Sequence, residues 1–140
     1  MKQLRLLVVL VILSVPALVF AGERTKLNGA ELNKLYFSSL NFFAGIWVQY
    51  GSTLGDAWLE TTYPNGTVEL QWNSGIHSGR AKGRLRVAGD RICVTWENKR
   101  LPGFLREFED KNCLEIYKIG DQKYENWLNG QNRGWFIWLK

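Results

Sequence analysis

Apolar and polar positions alternate along much of the chain. Val68, Leu70 and Trp72 stand against Glu69 and Gln71, and Ile92, Val94 and Trp96 against Cys93, Thr95 and Glu97. Leu114 and Ile116 stand against Cys113, Glu115 and Tyr117. A period of two belongs to a strand with one face on a core. The pattern predicts eight strands, over roughly 42–50, 57–63, 67–72, 79–87, 91–97, 112–118, 123–128 and 134–139. Pro64-Asn65-Gly66, Ala88-Gly89-Asp90, Gly120-Asp121 and Asn129-Gly130 supply tight-turn chemistry between consecutive strands. Hairpins in series make an antiparallel meander, and there is no room for the crossover helices of a parallel sheet. The expected fold is therefore all-β, an up-and-down barrel or half-barrel. Residues 98–111 form the one long connection, with Pro102-Gly103 and with Phe104, Leu105 and Phe108 set among charges.

One segment has helical character. Asn28 is suited to an N-cap, Glu31 follows three residues on as in a capping box, and Leu32, Leu35 and Tyr36 give one apolar edge. A short helix near 29–36 should plug or cover one end of the sheet.

The first 21 residues follow neither pattern. Lys2 and Arg5 precede a run from Leu6 to Val15 in which only Ser14 is polar, and Val19-Phe20-Ala21 offers small residues for cleavage. This reads as a signal peptide over 1–21, too short to anchor in a bilayer. It leaves a single β-domain over 22–140, expected to be periplasmic or secreted and to carry no transmembrane segment. Strands of six or seven residues are also short for a membrane-spanning barrel.

An oxidising compartment changes the meaning of the only two cysteines, Cys93 and Cys113. Such a pair is expected to form a disulfide, closing a loop of about 20 residues and contributing roughly 3 kcal/mol. The alternative, a metal or redox pair, lacks ligands, because His77 is the only histidine. No metal or cofactor is expected. If Cys93 faces Cys113 across an antiparallel pair, the same register sets Arg91 against Glu115, an opposite-charge pair. Both cysteines then share the face away from Ile92, Val94, Leu114 and Ile116.

Charge is unevenly distributed. Residues 80–106 hold eight basic and two acidic side chains, net +6, while the rest of the mature chain nets −3. Arg80, Lys82, Arg84 and Arg86 fall at every second position, so on a strand all four project from one face. Two uses fit: a solvated outer face partly neutralised by Glu60 and Glu69 on neighbouring strands, or a patch for an anionic envelope component or a protein partner. Export makes nucleic acid a poor partner.

Other chemistry is sparse. Serines flank His77 in a Gly/Ser-rich loop, but no nucleophile elbow surrounds it, and an exposed connector explains the composition. Glu107, Glu109 and Asp110 cluster in the long connection, and Asp56 and Glu60 flank a turn; loop acids beside Arg106 and Lys111 are ordinarily solvated. Asn65-Gly66-Thr67 matches a glycosylation acceptor, and a hairpin turn accounts for it fully. The mature chain holds all seven tryptophans. They serve either as core filler or as flat ligand-facing surface. No catalytic residue is assigned.

The Leu27-Asn28-Gly29-Ala30-Glu31-Leu32 opening, Tyr63-Pro64-Asn65-Gly66-Thr67, Gly79 and Gly83 are joined by two further motifs. These are Gly89-Asp90-Arg91-Ile92-Cys93-Val94-Thr95-Trp96 and Cys113-Leu114-Glu115-Ile116-Tyr117, with Gly120-Asp121 before Tyr124. Together they resemble a family of small exported proteobacterial proteins classed as a domain of unknown function. The resemblance implies the β fold, export and the disulfide, and carries no activity and no site residues. The basic stripe and Trp135-Phe136-Ile137-Trp138 depart from it. The expected function is a non-enzymatic envelope protein binding a ligand or partner through a basic and aromatic β-face. The alternative is a small hydrolase acting on an envelope polymer.

Overall fold

The computed structural model describes residues 23–48, 55–73, 75, 77–97, 101, 103–107 and 112–140. The export segment expected over 1–21 lies outside them. The elements run β1 (Thr25–Lys26), α1 (Gly29–Phe37), β2 (Asn41–Val48), β3 (Gly55–Thr62), β4 (Thr67–Asn73) and β5 (Ser78–Ala88). They continue with β6 (Arg91–Trp96), α2 (Gly103–Glu107), β7 (Glu115–Gly120), β8 (Lys123–Leu128) and β9 (Gln131–Leu139).

All nine strands join one antiparallel sheet in the order β1-β7-β8-β9-β2-β3-β4-β5-β6. This is the expected meander, curled into a half-barrel, with β2 paired to β9 and the break between β6 and β7. The curled edges meet at one bridge, where Ile92 and Leu114 exchange backbone hydrogen bonds of 2.9 and 2.8 Å. Beyond that point the two-residue β1 occupies the edge of β7, pairing Thr25 with Lys118 and Lys26 with Tyr117. β6 has no edge left there to pair with, so the seam stays a single bridge long. Cys93 and Cys113 are bonded at the seam with Cα atoms 4.4 Å apart. Arg91 meets Glu115 at 3.1 Å, in the register expected from the cysteines.

The capping box forms as its spacing demands: Glu31 N–H donates to Asn28 Oδ1 at 2.9 Å, and Asn28 N–H to Glu31 Oε2 at 2.8 Å. Leu32, Leu35 and Tyr36 are buried inside the curl. Both ends of α1 are tied to the sheet side chains around it. Gly29 N–H donates to Asp90 Oδ1 in the β5–β6 turn, Asn41 Nδ2 donates to Leu35 O, and Thr62 Oγ1 donates to Tyr36 O. The helix is thus a plug held by hydrogen bonds as well as by apolar contact.

Phe43, Trp47, Trp58, Val68, Leu70, Ile92, Val94, Trp96, Ile116, Tyr124 and Phe136 fill the interior. Between β8 and β9 the register slips, so that Asn126 faces both Arg133 and Gly134. Gly134 takes φ +118, and a side chain there would run into the carbonyl of Ile46. The bulge brings Arg133 into the interior, where it lies 5.4 Å from the Trp47 ring centroid and pairs with Glu107 of α2. Within the 98–111 connection Leu105 is fully buried, and Glu107 also accepts from Trp47 Nε1. That corrects the expectation of a solvated Glu107; Glu109 and Asp110 lie outside the described residues.

Candidate functional site

Register places the outward side chains of five neighbouring strands in rows. One row runs Ile137, Ala44, Leu59, Gln71, Arg80 across β9, β2, β3, β4 and β5. The next runs Leu139, Phe42, Thr61, Glu69, Lys82. With strands ~4.8 Å apart, each row spans about 19 Å. Along it the chemistry changes in one direction, from apolar on β9 and β2 to polar on β4 to basic on β5.

The apolar end is exposed. Phe42 keeps 46% of its surface, Leu59 53%, Trp135 42% and Leu139 41%. Single exposed apolar residues are ordinary, but here they adjoin Ala44, Ile46 and Ile137 on one continuous face, the kind of patch that marks an interaction surface. A groove of about 640 Å³ follows the rows, lined at one end by Trp135 and Ile137, in the middle by Ala57, Leu59 and Gln71, and at the other end by Arg80. Its size lies within the ordinary range of ligand sites, roughly 300–1,000 Å³.

Arg80, Lys82, Arg84 and Arg86 all point outward and are exposed, while Ala81 and Gly83 between them are buried. The stripe is thus one face, as its spacing predicts. Lys82 stands opposite Glu69, as expected for partial neutralisation. On the far flank, Lys123 Nζ sits 5.1 Å from the Trp135 ring centroid. Glu125, opposite Trp135, is satisfied by Arg24 at 2.7 Å and by Trp127 Nε1 at 2.9 Å. Burial alone would raise its carboxyl, but these bonds hold it below the ordinary carboxylate range. The apolar strip is therefore flanked by cations on both sides.

Glu60 departs from its expected place. It stands opposite Phe43 on β2 and Leu70 on β4, both core residues, and points inward. It cannot neutralise the outer stripe. It lines an interior cavity of about 40 Å³ with Tyr36, Trp47, Trp58, Trp96 and Asn126 among its walls. Burial pushes its carboxyl up to about 8. Tyr36 is raised as well, first by burial and then by the nearby Glu60 charge.

The tryptophans divide between both expected roles. Trp47, Trp58 and Trp96 are core, and Trp135 lies outside on the apolar strip. His77 is exposed just before β5. Asn65-Gly66-Thr67 is a turn, with Gly66 at φ +89 and Thr67 N–H bonded to Asn65 Oδ1. Among the described residues no group of three or more His, Cys, Asp or Glu could hold a metal ion.

The outer apolar strip escaped the sequence reading because Asn41–Val48 and Gln131–Leu139 carry apolar residues at odd and even positions alike. Alternation then names no face. The usable signal was the excess itself: a small meander has one solvated side, and two adjacent strands apolar on both sides must expose some of it. No protein-family model, curated protein or solved structure matches this chain.

Proposed function

We propose that this is an exported, non-enzymatic binding protein that captures an anionic amphiphile, a molecule with an acidic head and an apolar chain, on its outer face. The observation that carries the reading is the groove that joins the exposed apolar strip of β9, β2 and β3 to Arg80 at the edge of the basic stripe. A soluble polyanion would need the stripe alone and leave the apolar strip unexplained. An uncharged apolar ligand would leave the stripe unexplained. An amphiphile uses both: charge gives reach and orientation, and apolar area gives short-range affinity. Export is supported by the leader-like start of the chain and by the disulfide, which persists in oxidising compartments. Among the described residues no helix is long and apolar enough to cross a membrane.

Sedimentation with lipid vesicles tests the reading. The protein should bind vesicles containing an anionic phospholipid and not purely zwitterionic ones, and added salt should release it. Arg84→Gln with Arg86→Gln should weaken binding on the order of tenfold and flatten the salt dependence. Leu59→Ser should weaken it without changing the salt slope. Equal binding to both kinds of vesicle, or none at low salt, would leave the stripe as a solvated face.

A further inference from the structure

The curl of the sheet gives its outer face a crest. β2 is the middle strand of the nine, and α1 and the core fill the concave side, so β2 and its neighbours run along the convex ridge. One outward row crosses that ridge from shoulder to shoulder. It runs Lys123 on β8, Ile137 on β9, Ala44 on β2, Leu59 on β3, Gln71 on β4 and Arg80 on β5. Five strand spacings of ~4.8 Å make it about 24 Å long. An exposed cation stands at each end, and the exposed side chains of Phe42, Leu59, Trp135 and Leu139 lie between the shoulders.

This symmetry of charge narrows the partner. A single-headed amphiphile lying in the groove meets the Arg80 end alone and leaves Lys123 unused. A second copy of the chain fits worse, because strip on strip across a two-fold axis sets basic shoulder against basic shoulder. A lipid leaflet meets both: its acyl region takes the crest, and its acidic headgroups surround that crest on every side. Lys123 Nζ, 5.1 Å from the Trp135 ring centroid, joins a cation to an indole, a combination suited to the boundary between chains and headgroups. The acids beside the strip do not oppose this. Glu69 stands opposite Lys82, and Glu125 is bonded to Arg24 and Trp127.

We infer that the outer face docks on the surface of an anionic lipid leaflet, with Phe42, Leu59, Trp135 and Leu139 set between the headgroups and with Lys123 and the β5 cations on either side. This rests on the reading of the outer face as a site for anionic amphiphiles. It adds the form in which the amphiphile is met, assembled in a membrane and not drawn out as one molecule.

Vesicles of phosphatidylcholine and phosphatidylglycerol, prepared with and without bromine in the acyl chains, test it. The readouts are sedimentation, quenching of tryptophan fluorescence by the bromines, and passage of labelled phosphatidylglycerol to acceptor vesicles. The protein should sediment with the vesicles, and the bromines should quench a part of the fluorescence that Trp135→Phe lacks. The labelled lipid should stay in its own vesicles. Lys123→Gln, with native packing confirmed by near-ultraviolet circular dichroism, should weaken sedimentation about fivefold, although it lies on the shoulder opposite the stripe. Equimolar transfer of phosphatidylglycerol, or undiminished sedimentation of Lys123→Gln, would overturn docking and leave capture of one amphiphile in the groove. Sedimentation without quenching would overturn it in favour of contact through charge alone. A dimer that Leu59→Ser dissociates would give the strip to a second copy. Binding neither to these vesicles nor to a short-chain alkyl phosphate would overturn the amphiphile reading itself.

Discussion

On β5, four cations stand outward at alternate positions, while two strands away on β3 a single carboxyl stands inward between Phe43 and Leu70. Water screens the first group, so its charges cost the fold little. The second stands among apolar neighbours, where burial pushes its carboxyl up to about 8, so ionising it is at the expense of stability. The same sheet therefore carries charge at little cost on one side and at the expense of stability on the other. Substitutions on the two faces should separate stability from binding.

The largest effect belongs to the inner wall. Trp96→Ala should cost about 3–5 kcal/mol of folding stability, read as a fall in the denaturant midpoint, because the ring is buried beside Ile92 and Val94. A negligible loss would mean that the two faces have been exchanged.

The seam between the curled edges of the sheet comes next. Replacing both Cys93 and Cys113 with Ala should cost about 3 kcal/mol, with the fold retained at low temperature. The loss should concentrate at the seam, where among the described residues the Ile92–Leu114 bridge and the Arg91–Glu115 ion pair are the other links. Hydrogen exchange should accordingly rise first at Ile92 and Leu114.

The Glu60 carboxyl gives an effect of another kind, one that depends on pH. Its folded value is about 8 against an ordinary 4.5, so between those values the folded state binds more protons than the unfolded chain. Stability should fall as pH rises through that window, by up to about 1.4 kcal/mol per pH unit, and level off above it. Below the window the penalty vanishes. Glu60→Gln should remove this slope, and an unchanged slope in the variant would assign it to other groups.

The smallest effect lies outside. Arg84→Gln with Arg86→Gln should move stability by less than about 0.5 kcal/mol, measured by the same denaturant titration. A large loss would show that the stripe contributes to the fold and is not merely a solvated face.

The seam, the helix and the stripe could be read in the chain because each rests on local spacing. Asn28 and Glu31 fix the start of α1. Arg80 to Arg86 alternate without interruption. Setting Cys93 against Cys113 also set Arg91 against Glu115, and the structure keeps that register. What could not be read depends on other strands. Leu59 and Glu60 alternate on β3 with polarity reversed from the rule, the apolar residue outside and the acid inside, and only pairing with Phe43 and Leu70 reveals it. Arg133 turns inward because one extra residue bulges at Gly134, which no periodicity encodes. β1, two residues long, exists only because β7 offers it an edge.

Indole N–H resonances allow both faces to be watched in one sample, since Trp135 lies on the outer strip and Trp96 on the wall of the interior cavity. The most direct measurement is a nuclear magnetic resonance titration with a short-chain alkyl phosphate. The alkyl phosphate should shift the Trp135 indole and leave Trp96 in place. A shift of the Trp96 indole alone, or of neither indole, would contradict capture of an anionic amphiphile on the outer face.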